Sequence, residues 1–265
     1  MAERFRTPPE IYEYLVKIGI QKVKLPIAKL LLLGIMAGIF IGIGSALFTT
    51  VTQGIIDGAN IGYASLVGGI VFSVGLMLVV FAGAELFTGN NLMFIGMLDK
   101  KITINELLRN WFFVYIGNFI GALILALLMY YGGLLDGAVG ERALAIANVK
   151  VSLTFIQVLV RAILANFLVC LAIALASADV NEIGKIFGIL FPIMAFVALG
   201  YEHSIANMYF LPAGILLGKS ALLNWGTIFT KNLIVVTIGN IIGGAFLVGA
   251  VYWYAYVRKG NRIRD

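Results

Sequence analysis

The sequence predicts an all-α membrane protein with six transmembrane helices, arranged as two related halves of opposite orientation (3+3). Three observations support this prediction: an apolar composition, six long runs almost without charge, and a motif present in both halves. Of the 265 residues, 61% are hydrophobic and 12% are charged, and the mean hydropathy is +1.01. These values lie far outside the range of soluble globular domains. The chain therefore belongs in a lipid bilayer.

Six apolar runs are long enough to cross about 30 Å of hydrocarbon, which takes about 20 helical residues. The runs cover residues 30–53, 58–84, 110–135, 151–178, 186–218 and 232–257. Before them, from about Pro8 to Leu25, apolar residues at near-helical spacing alternate with lysines, which predicts an amphipathic helix on the membrane surface. We therefore divide the chain into that N-terminal segment (1–27), one transmembrane domain (28–258, with repeats at about 28–135 and 150–258) and a tail (259–265).

The distribution of basic residues predicts the orientation. Fourteen of the 19 Lys and Arg residues lie before the first run, after the second, after the fourth or at the C-terminus, whereas four lie at the other ends and Arg161 lies within the fourth run. By the positive-inside rule, both termini of this multi-pass protein are expected in the cytoplasm, with the chain in the cell membrane. The basic residues form no continuous face, which argues against nucleic acid as a partner.

The third and sixth runs share a motif. When LLRNWFFVYIGNFIGA is laid over IFTKNLIVVTIGNIIGG, the Ile-Gly-Asn of 116–118 meets that of 238–240, and Asn110 meets Asn232. This match predicts an internal duplication. Each half then has three crossings, an odd number, so the halves are expected to be related by a twofold axis in the membrane plane. The glycines of the motif are interpreted as positions of close helix packing.

The second and fifth runs are expected to be broken helices. The second run continues without charge, except at Glu85, for about 40 residues, which is about 60 Å as one helix and too long for a single span. Residues 86–91, Leu-Phe-Thr-Gly-Asn-Asn, are expected to break it, because glycine is a poor helix former and Thr and Asn can satisfy freed backbone groups. The fifth run is expected to break at Glu202-His203-Ser204. Two such breaks at membrane depth predict a solute pathway.

The two break sequences agree more weakly than the shared Ile-Gly-Asn motif. TGNNLMF, from Thr88, lies over SIANMYF, from Ser204, and this alignment also pairs Asn91 with Asn207.

Ionisable residues in membrane segments indicate function by default, because their burial is costly. Glu85 and Glu202 are interpreted as helix-break carboxylates that cap freed amides. His203, the only histidine, is interpreted as functional because imidazole exchanges protons near neutral pH. Lys150 and Arg161 could make an outer mouth electropositive and draw in an anion. Alternatively, Lys150 only extends its amine to the membrane interface.

Four stretches resemble the formate/nitrite transporter family over nearly the whole length: AGAELFTGN (82–90), RAILANFLVCLAI (161–173), GYEHSIANMYF (200–210) and TIGNIIGG (237–244). The resemblance implies an aquaporin-like protomer with broken helices 2 and 5, although the paired Asn-Pro-Ala motifs of aquaporins are absent. It also implies a pentamer with one pore per subunit, which passes small monovalent anions such as formate, nitrite or hydrosulfide.

The resemblance also implies roles for residues along the pathway. His203 would be the central pore histidine, Thr88 its partner in a mobile loop, and Lys150 an outer lysine helped by Asn166. Asn240 would be the pore asparagine of the sixth helix. The expected pathway consists of these five residues and of two break residues, Asn91 and Asn207. The expected apolar constrictions are Leu76, Leu86 and Phe196.

These expectations combine into a transport mechanism with three alternatives. A bare anion crossing apolar rings loses its hydration at a high free-energy cost, so the substrate is expected to pass as a neutral acid, with His203 assisting proton transfer. A strict proton-coupled symporter would share every motif. A neutral-solute channel is disfavoured by the missing Asn-Pro-Ala pair. A membrane enzyme would depend on Glu85 and Glu202, because one histidine and one cysteine, Cys170, cannot build a transition-metal site. No metal or cofactor is therefore predicted.

Overall fold

The computed structural model describes residues 5–54 and 60–258, and within these ranges all regular structure is helical. Residues 1–4, 55–59 and 259–265 lie outside the described part of the chain. The predicted start of the second run at Gly58 and the predicted tail 259–265 fall on those residues.

The helices are numbered in chain order. The first half contains α1 (Pro8–Val23), α2 (Ile27–Val51), α3 (Ile61–Leu78), α4 (Phe87–Asn90), α5 (Phe94–Leu98) and α6 (Ile104–Tyr131). The second half contains α7 (Gly137–Ser152), α8 (Phe155–Ala178), α9 (Glu182–Ala198), α10 (Ser204–Leu216), α11 (Trp225–Ile228) and α12 (Ile234–Ile241). A π-helical turn extends α3, a 3₁₀ turn joins α4 to α5, and π-helical segments follow α11 and α12: Val79–Gly83, Asn91–Met93, Phe229–Leu233, Ile242–Ala250 and Trp253–Val257.

Five helical stretches among the described residues are long and apolar enough to cross a membrane. They are Ile27–Val51, Ile61–Gly83, Ile104–Tyr131, Phe155–Ala178 and Trp225–Val257. The predicted run 186–218 is not among them, because it is divided into α9 and α10, of 17 and 13 residues. The prediction of a broken fifth segment is therefore confirmed.

Local capping explains where α6 begins, which is earlier than residue 110. The backbone N–H of Glu106 donates to the Thr103 hydroxyl at 3.3 Å, and the Glu106 carboxylate accepts from the Thr103 N–H at 2.8 Å. This reciprocal pair is a capping box, which satisfies two amides that the helix itself leaves unpaired. The predicted run 110–135 follows the charged Arg109, so it marks the apolar part of α6 and not the start of the helix.

Helix α1 forms over the predicted residues, but its apolar face is covered by protein. Ile11 and Leu15 are buried in a cluster that includes Leu92 and Val248. The Tyr12 ring stacks on Tyr252 with centroids 4.5 Å apart. This apolar face packs against α5, α8 and the end of the last long helix. The position of α1 at the membrane surface stays a prediction.

Glycines of the repeated motif allow two pairs of helices to touch along their backbones. A Cβ atom added at Gly121 would collide with the Ile35 carbonyl oxygen of α2, and one added at Gly243 would collide with the Ile163 carbonyl oxygen of α8. Small residues at a helix contact permit this close approach. The interpretation of these glycines as packing positions is confirmed.

Candidate functional site

The two breaks have the same backbone geometry. Gly83 and Gly200 adopt φ of +81° and +69°, and at both positions the helix stops because the left-handed region does not continue an α-helix. After Gly83 the chain is extended and becomes helical again at Phe87, so the first break covers residues 84–86 rather than the predicted 86–91. Thr88 therefore lies in the short helix α4 and not in a loop.

The helix that follows each break starts from an equivalent residue. Leu86 (φ −106°, ψ 120°) is the N-cap of α4, and His203 (φ −114°, ψ 121°) is the N-cap of α10. Each N-cap directly follows a glutamate, which makes Glu85 equivalent to Glu202. The predicted pairing of Thr88 with Ser204 and of Asn91 with Asn207 is therefore wrong by one residue.

The correct register is carried by a pattern that both breaks contain, Gly-x-Glu-x-x-x-x-Asn. It places Gly83, Glu85 and Asn90 opposite Gly200, Glu202 and Asn207. This pattern is visible in the sequence, but the similarity of threonine to serine favoured the other alignment.

Asn118 holds the first break in place. Its amide Nδ2 donates to the carbonyl oxygens of Gly34 at 2.8 Å and Glu85 at 2.9 Å, and its Oδ1 accepts from the Phe87 N–H at 2.9 Å. The side chain is completely buried. Asn118 thus supplies the partners that the interrupted helix cannot supply.

Asn240 makes the same three contacts at the second break. Its Nδ2 donates to the carbonyl oxygens of Ala162 at 2.7 Å and Glu202 at 3.0 Å, and its Oδ1 accepts from the Ser204 N–H at 2.8 Å. Both ends of the amide are therefore bound to backbone. Asn240, the expected pore asparagine, thus holds the second break together through these three bonds to backbone, and we call this arrangement a clamp.

Each break glutamate forms an ion pair with a lysine from the first helix of its half. Glu85 lies 3.0 Å from Lys22 of α1, and Glu202 lies 2.9 Å from Lys150 of α7. The glutamates bind lysine and asparagine side chains rather than freed amides, which corrects their interpretation as amide caps. Pairing offsets the cost of burying these charges. Lys22 was missed because it lies among other lysines of α1, with no signal beyond its place before the first repeat.

His203 and Thr88 connect the two broken helices. His203 Nε2 lies 2.8 Å from Thr88 Oγ1, and both side chains are buried. His203 Nδ1 accepts the Ala206 N–H at 3.2 Å, as an N-cap does. Because Nδ1 acts as an acceptor, the neutral ring carries its proton on Nε2 and donates to the threonine hydroxyl.

Asn166 holds α4 against the last long helix. Its Nδ2 lies within hydrogen-bond distance of the Thr88 carbonyl oxygen (3.3 Å), Asn91 Oδ1 (2.8 Å) and the Asn240 carbonyl oxygen (2.7 Å). Asn166 is not among the residues that line the cavity containing Lys150. The structure therefore brings it to Thr88 and Asn91 and does not bring it to Lys150, the residue it was expected to help.

Two cavities approach the breaks. The Lys150 cavity, of about 420 Å³, is defined by Lys150, Glu202, His203, Asn207, Phe196 and the residues around them. The Lys22 cavity, of about 430 Å³, is defined by Lys22, Glu85, Leu86, Asn90 and the residues around them. The bond between Thr88 and His203 joins α4, part of which lines the Lys22 cavity, to the histidine that lines the Lys150 cavity.

Each cavity also has apolar lining residues beside its break. Phe196 packs edge-on against Phe72, with centroids 5.5 Å apart, and its ring centroid lies 5.8 Å from that of His203. Leu86, which is buried, borders the Lys22 cavity. Leu76 is buried in the core and lines neither cavity. The Lys150 cavity is lined by three cationic side chains, Arg142, Lys150 and Arg161, and by one carboxylate, Glu202.

Comparisons with known proteins agree with this arrangement. A family model described as "Formate/nitrite transporter" matches residues 9–254. The chain is 43% identical to the "Probable formate transporter" of Methanothermobacter thermautotrophicus, over 98% of this chain and 100% of that protein. It is 40% identical to "Formate channel FocA" of Escherichia coli (strain K12), over 92% of each. A solved structure described as "Pentameric formate channel with formate bound" superposes with a TM-score of 0.79 at 36% identity, covering 88% of this chain and 98% of that one.

Proposed function

The chain belongs to the formate/nitrite transporter family, and from that premise we propose that it is a channel for small monovalent anions of weak acids, with formate the leading candidate. It is a membrane transport protein and not an enzyme. The observation that carries the proposal is the pair of cavities, each lined by a Lys–Glu ion pair, at two broken helices that the hydrogen bond between Thr88 and His203 connects. The names of the relatives favour formate over nitrite and hydrosulfide.

We propose six crossings, formed by the five long helices and by the pair α9 and α10, in two halves of inverted orientation. The matching contacts of Asn118 and Asn240 support this duplication. We also propose a homo-pentamer with cytoplasmic termini, which the pentameric solved relative and the distribution of basic residues support.

The permeating form in this proposal is the neutral acid. Lys150, Arg142 and Arg161 raise the local concentration of the anion at the cavity mouth. An ion entering the apolar wall would lose its hydration, which is costly, whereas a protonated weak acid carries no charge. The acid would then pass between Phe196 and Leu86, with Thr88 orienting it.

His203 can assist proton transfer only if its N-cap hydrogen bond with the Ala206 N–H is broken. If Nε2 gives its proton to an anion, a proton from the solution in the Lys150 cavity, which His203 lines, must reach Nδ1 for the ring to stay neutral, and this breaks the bond from Ala206. The relay therefore couples proton delivery to the start of α10. This is the feature that distinguishes a relay from a histidine that only donates a hydrogen bond to Thr88.

Uptake by proteoliposomes tests the proposal. Wild-type protein should take up formate, and nitrite and hydrosulfide should be compared with formate at two pH values. His203→Asn keeps an N-cap acceptor but cannot exchange protons, whereas His203→Phe removes both. If His203→Asn retains wild-type proton-coupled uptake, the relay role is wrong and the channel function stands. If the wild type takes up none of the three anions, the channel function itself is wrong.

Two further measurements distinguish a proton symporter and a neutral-solute channel from the proposed anion channel. A strict proton symporter would give a fixed ratio of proton to formate flux, and current–voltage recordings would measure that ratio. A neutral-solute channel would swell liposomes in stopped-flow experiments with water or glycerol.

A further inference from the structure

Arg142 of α7 lines the Lys150 cavity without an ion pair to any carboxylate in the part of the chain that the structure describes. The carboxylate that lines this cavity, Glu202, is already bound to Lys150, Asn207 and Asn232. Burial lowers the pKa of Arg142, but a guanidinium stays protonated at neutral pH. A partly buried cation without a counter-ion can gain free energy by binding an anion.

Two contacts hold the Arg142 guanidinium in one orientation. Its Nε donates to Thr52 Oγ1 at 3.0 Å, and Thr52, which is completely buried, donates its own hydroxyl to the Phe48 carbonyl oxygen at 2.7 Å. The Phe48 ring lies against the guanidinium, with its centroid 5.9 Å from Arg142 Cζ, within the range of a cation–π contact. These contacts use Nε and one face of the guanidinium. They leave the terminal nitrogens, Nη1 and Nη2, unoccupied.

The terminal nitrogens of Arg142 can be reached from the cavity. Neither has a hydrogen-bond partner among the described residues, and neither belongs to the buried side-chain atoms that lack a partner, so both have accessible surface. The residues of α7 that line the Lys150 cavity are 142, 145, 146, 149 and 150, which form one face of the helix. Arg142 is half-buried on this face. Its accessible end therefore borders the cavity.

The free edge of this guanidinium has a specific shape. Nη1 and Nη2 each present one N–H at the end of the side chain, and the two N–H groups are nearly parallel. Such a fork matches the two oxygens of a carboxylate, whereas a lysine ammonium acts as a point charge. Formate and nitrite each carry two oxygens on one central atom, and a monatomic anion does not. The edge can thus select anions by geometry as well as by charge.

We propose that Arg142 forms a carboxylate subsite in the Lys150 cavity, where Nη1 and Nη2 each donate a hydrogen bond to one oxygen of the anion. Thr52 is its positioning residue, because it fixes the direction of the fork. The inference rests on the proposed channel function for the identity of the ligand. Protonation of the anion weakens a charge-assisted pair of this kind, so the subsite holds the anion and releases the neutral acid.

Chemical modification tests the subsite without transport. Phenylglyoxal reacts with the terminal nitrogens of accessible arginines, and peptide mass spectrometry of the purified full chain gives the rate at each arginine. We expect saturating formate to slow the modification of Arg142 at least about threefold, and bromide at the same concentration to change it less than about 1.5-fold. Arg258, which is exposed and lines neither cavity, is the internal reference. Equal protection by the two anions, or none, would overturn the proposal.

A charge-conserving variant separates the fork from the charge. Arg142→Lys keeps the charge and loses the fork, so the half-saturating formate concentration in proteoliposomes should rise about fivefold, which corresponds to one hydrogen bond of about 1 kcal/mol. Its dependence on ionic strength should stay that of the wild type, because the net charge is unchanged. Arg258→Lys is the control and should remain within about twofold of wild type. A rise below about twofold in Arg142→Lys contradicts the subsite.

A double-mutant cycle tests the positioning role of Thr52. Thr52→Val keeps the branched shape and removes the acceptor of Arg142 Nε. It should raise the half-saturating formate concentration in the wild type and have no further effect in the Arg142→Lys background, because the two changes then remove the same interaction. Thr52→Val should also weaken the protection of Arg142 by formate. Fully additive effects would show that Thr52 does not act through Arg142.

The failure of this inference is distinct from the failure of the channel proposal. Normal formate uptake without specific protection of Arg142 would overturn the subsite and leave the channel intact. Protection of Arg142 by formate, together with the absence of saturable uptake in wild-type proteoliposomes, would instead overturn the channel proposal and leave the subsite.

Discussion

Replacement of Asn240 by leucine should destabilise the second break by a predictable amount. The change removes two hydrogen bonds from Nδ2 to carbonyl oxygens, each worth about 1 kcal/mol, and leaves the buried Ser204 N–H without its partner, which costs about 1–3 kcal/mol. Burial of the added methyl groups offsets part of this loss. We therefore expect a net loss of about 2–4 kcal/mol, or on the order of 10 °C in Tm for a chain of this size.

Cys170 can report the thermal unfolding of these variants. Cys170 is the only cysteine in the sequence, and it is completely buried, so a thiol-reactive fluorescent dye will label the protein in detergent only as it unfolds. Asn118→Leu should give a loss of similar size, because Asn118 makes the same three bonds at the first break. Thr230→Val, at an exposed position, is the control and should change Tm by little. Melting of Asn240→Leu within 2 °C of wild type, roughly 1 kcal/mol or less, would refute the clamp role.

Three further predictions follow from the packing and charges. Lys150→Met should raise the half-saturating formate concentration several-fold and reduce its dependence on salt, while the exposed Lys231→Met should not; uptake kinetics at two ionic strengths decide this. Gly121→Ala and Gly243→Ala should each lower Tm in the dye assay, because the added Cβ meets a backbone oxygen of the neighbouring helix, and an unchanged Tm would contradict that packing. Burial and the nearby Tyr252 raise the pKa of Tyr12 above its ordinary value of 10.0, so its contribution to the docking of α1 is complete below about pH 10 and declines progressively as the pH rises above that value; limited proteolysis of α1 across that range, with Tyr12→Phe as the titration-free control, measures the effect.

The sequence predicted the structure best at positions where a single residue type can meet the physical requirement. The repeated Ile-Gly-Asn-x-Ile-Gly predicted both close helix contacts, and a Cβ atom at its last glycine, Gly121 or Gly243, would meet a backbone oxygen of the neighbouring helix. It could not show that Asn240 binds backbone rather than a permeating solute, since a buried amide is needed in both cases. The position of the first break was predicted too late, because its cause is the positive φ of Gly83, and many glycines in the chain do not adopt one.

The Lys–Glu pairs were beyond prediction for a different reason. Lys22 and Glu85 are far apart in the sequence, and what joins them is the docking of α1 through Tyr12 and Leu15, a tertiary contact with no local signal. Lys150 was singled out as an anion-attracting residue, yet its partner Glu202 could be assigned only once α7 and the second break were placed together.

The equivalence of Leu86 and His203 has a consequence for how this protein can change. Both residues hold the same backbone dihedral angles directly after a clamped glutamate, and the clamp bonds involve backbone atoms and one asparagine, not the side chain of the N-cap residue. The same backbone therefore carries an apolar side chain, Leu86, at the Lys22 cavity and a polar one, His203, at the Lys150 cavity. An exchange of the two side chains, Leu86→His with His203→Leu, would move the polar group to the other cavity and keep both asparagine clamps, while α10 would lose the cap that His203 gives to the Ala206 N–H. Evolution and protein engineering can thus alter the permeation barrier of one half while the other half preserves the fold.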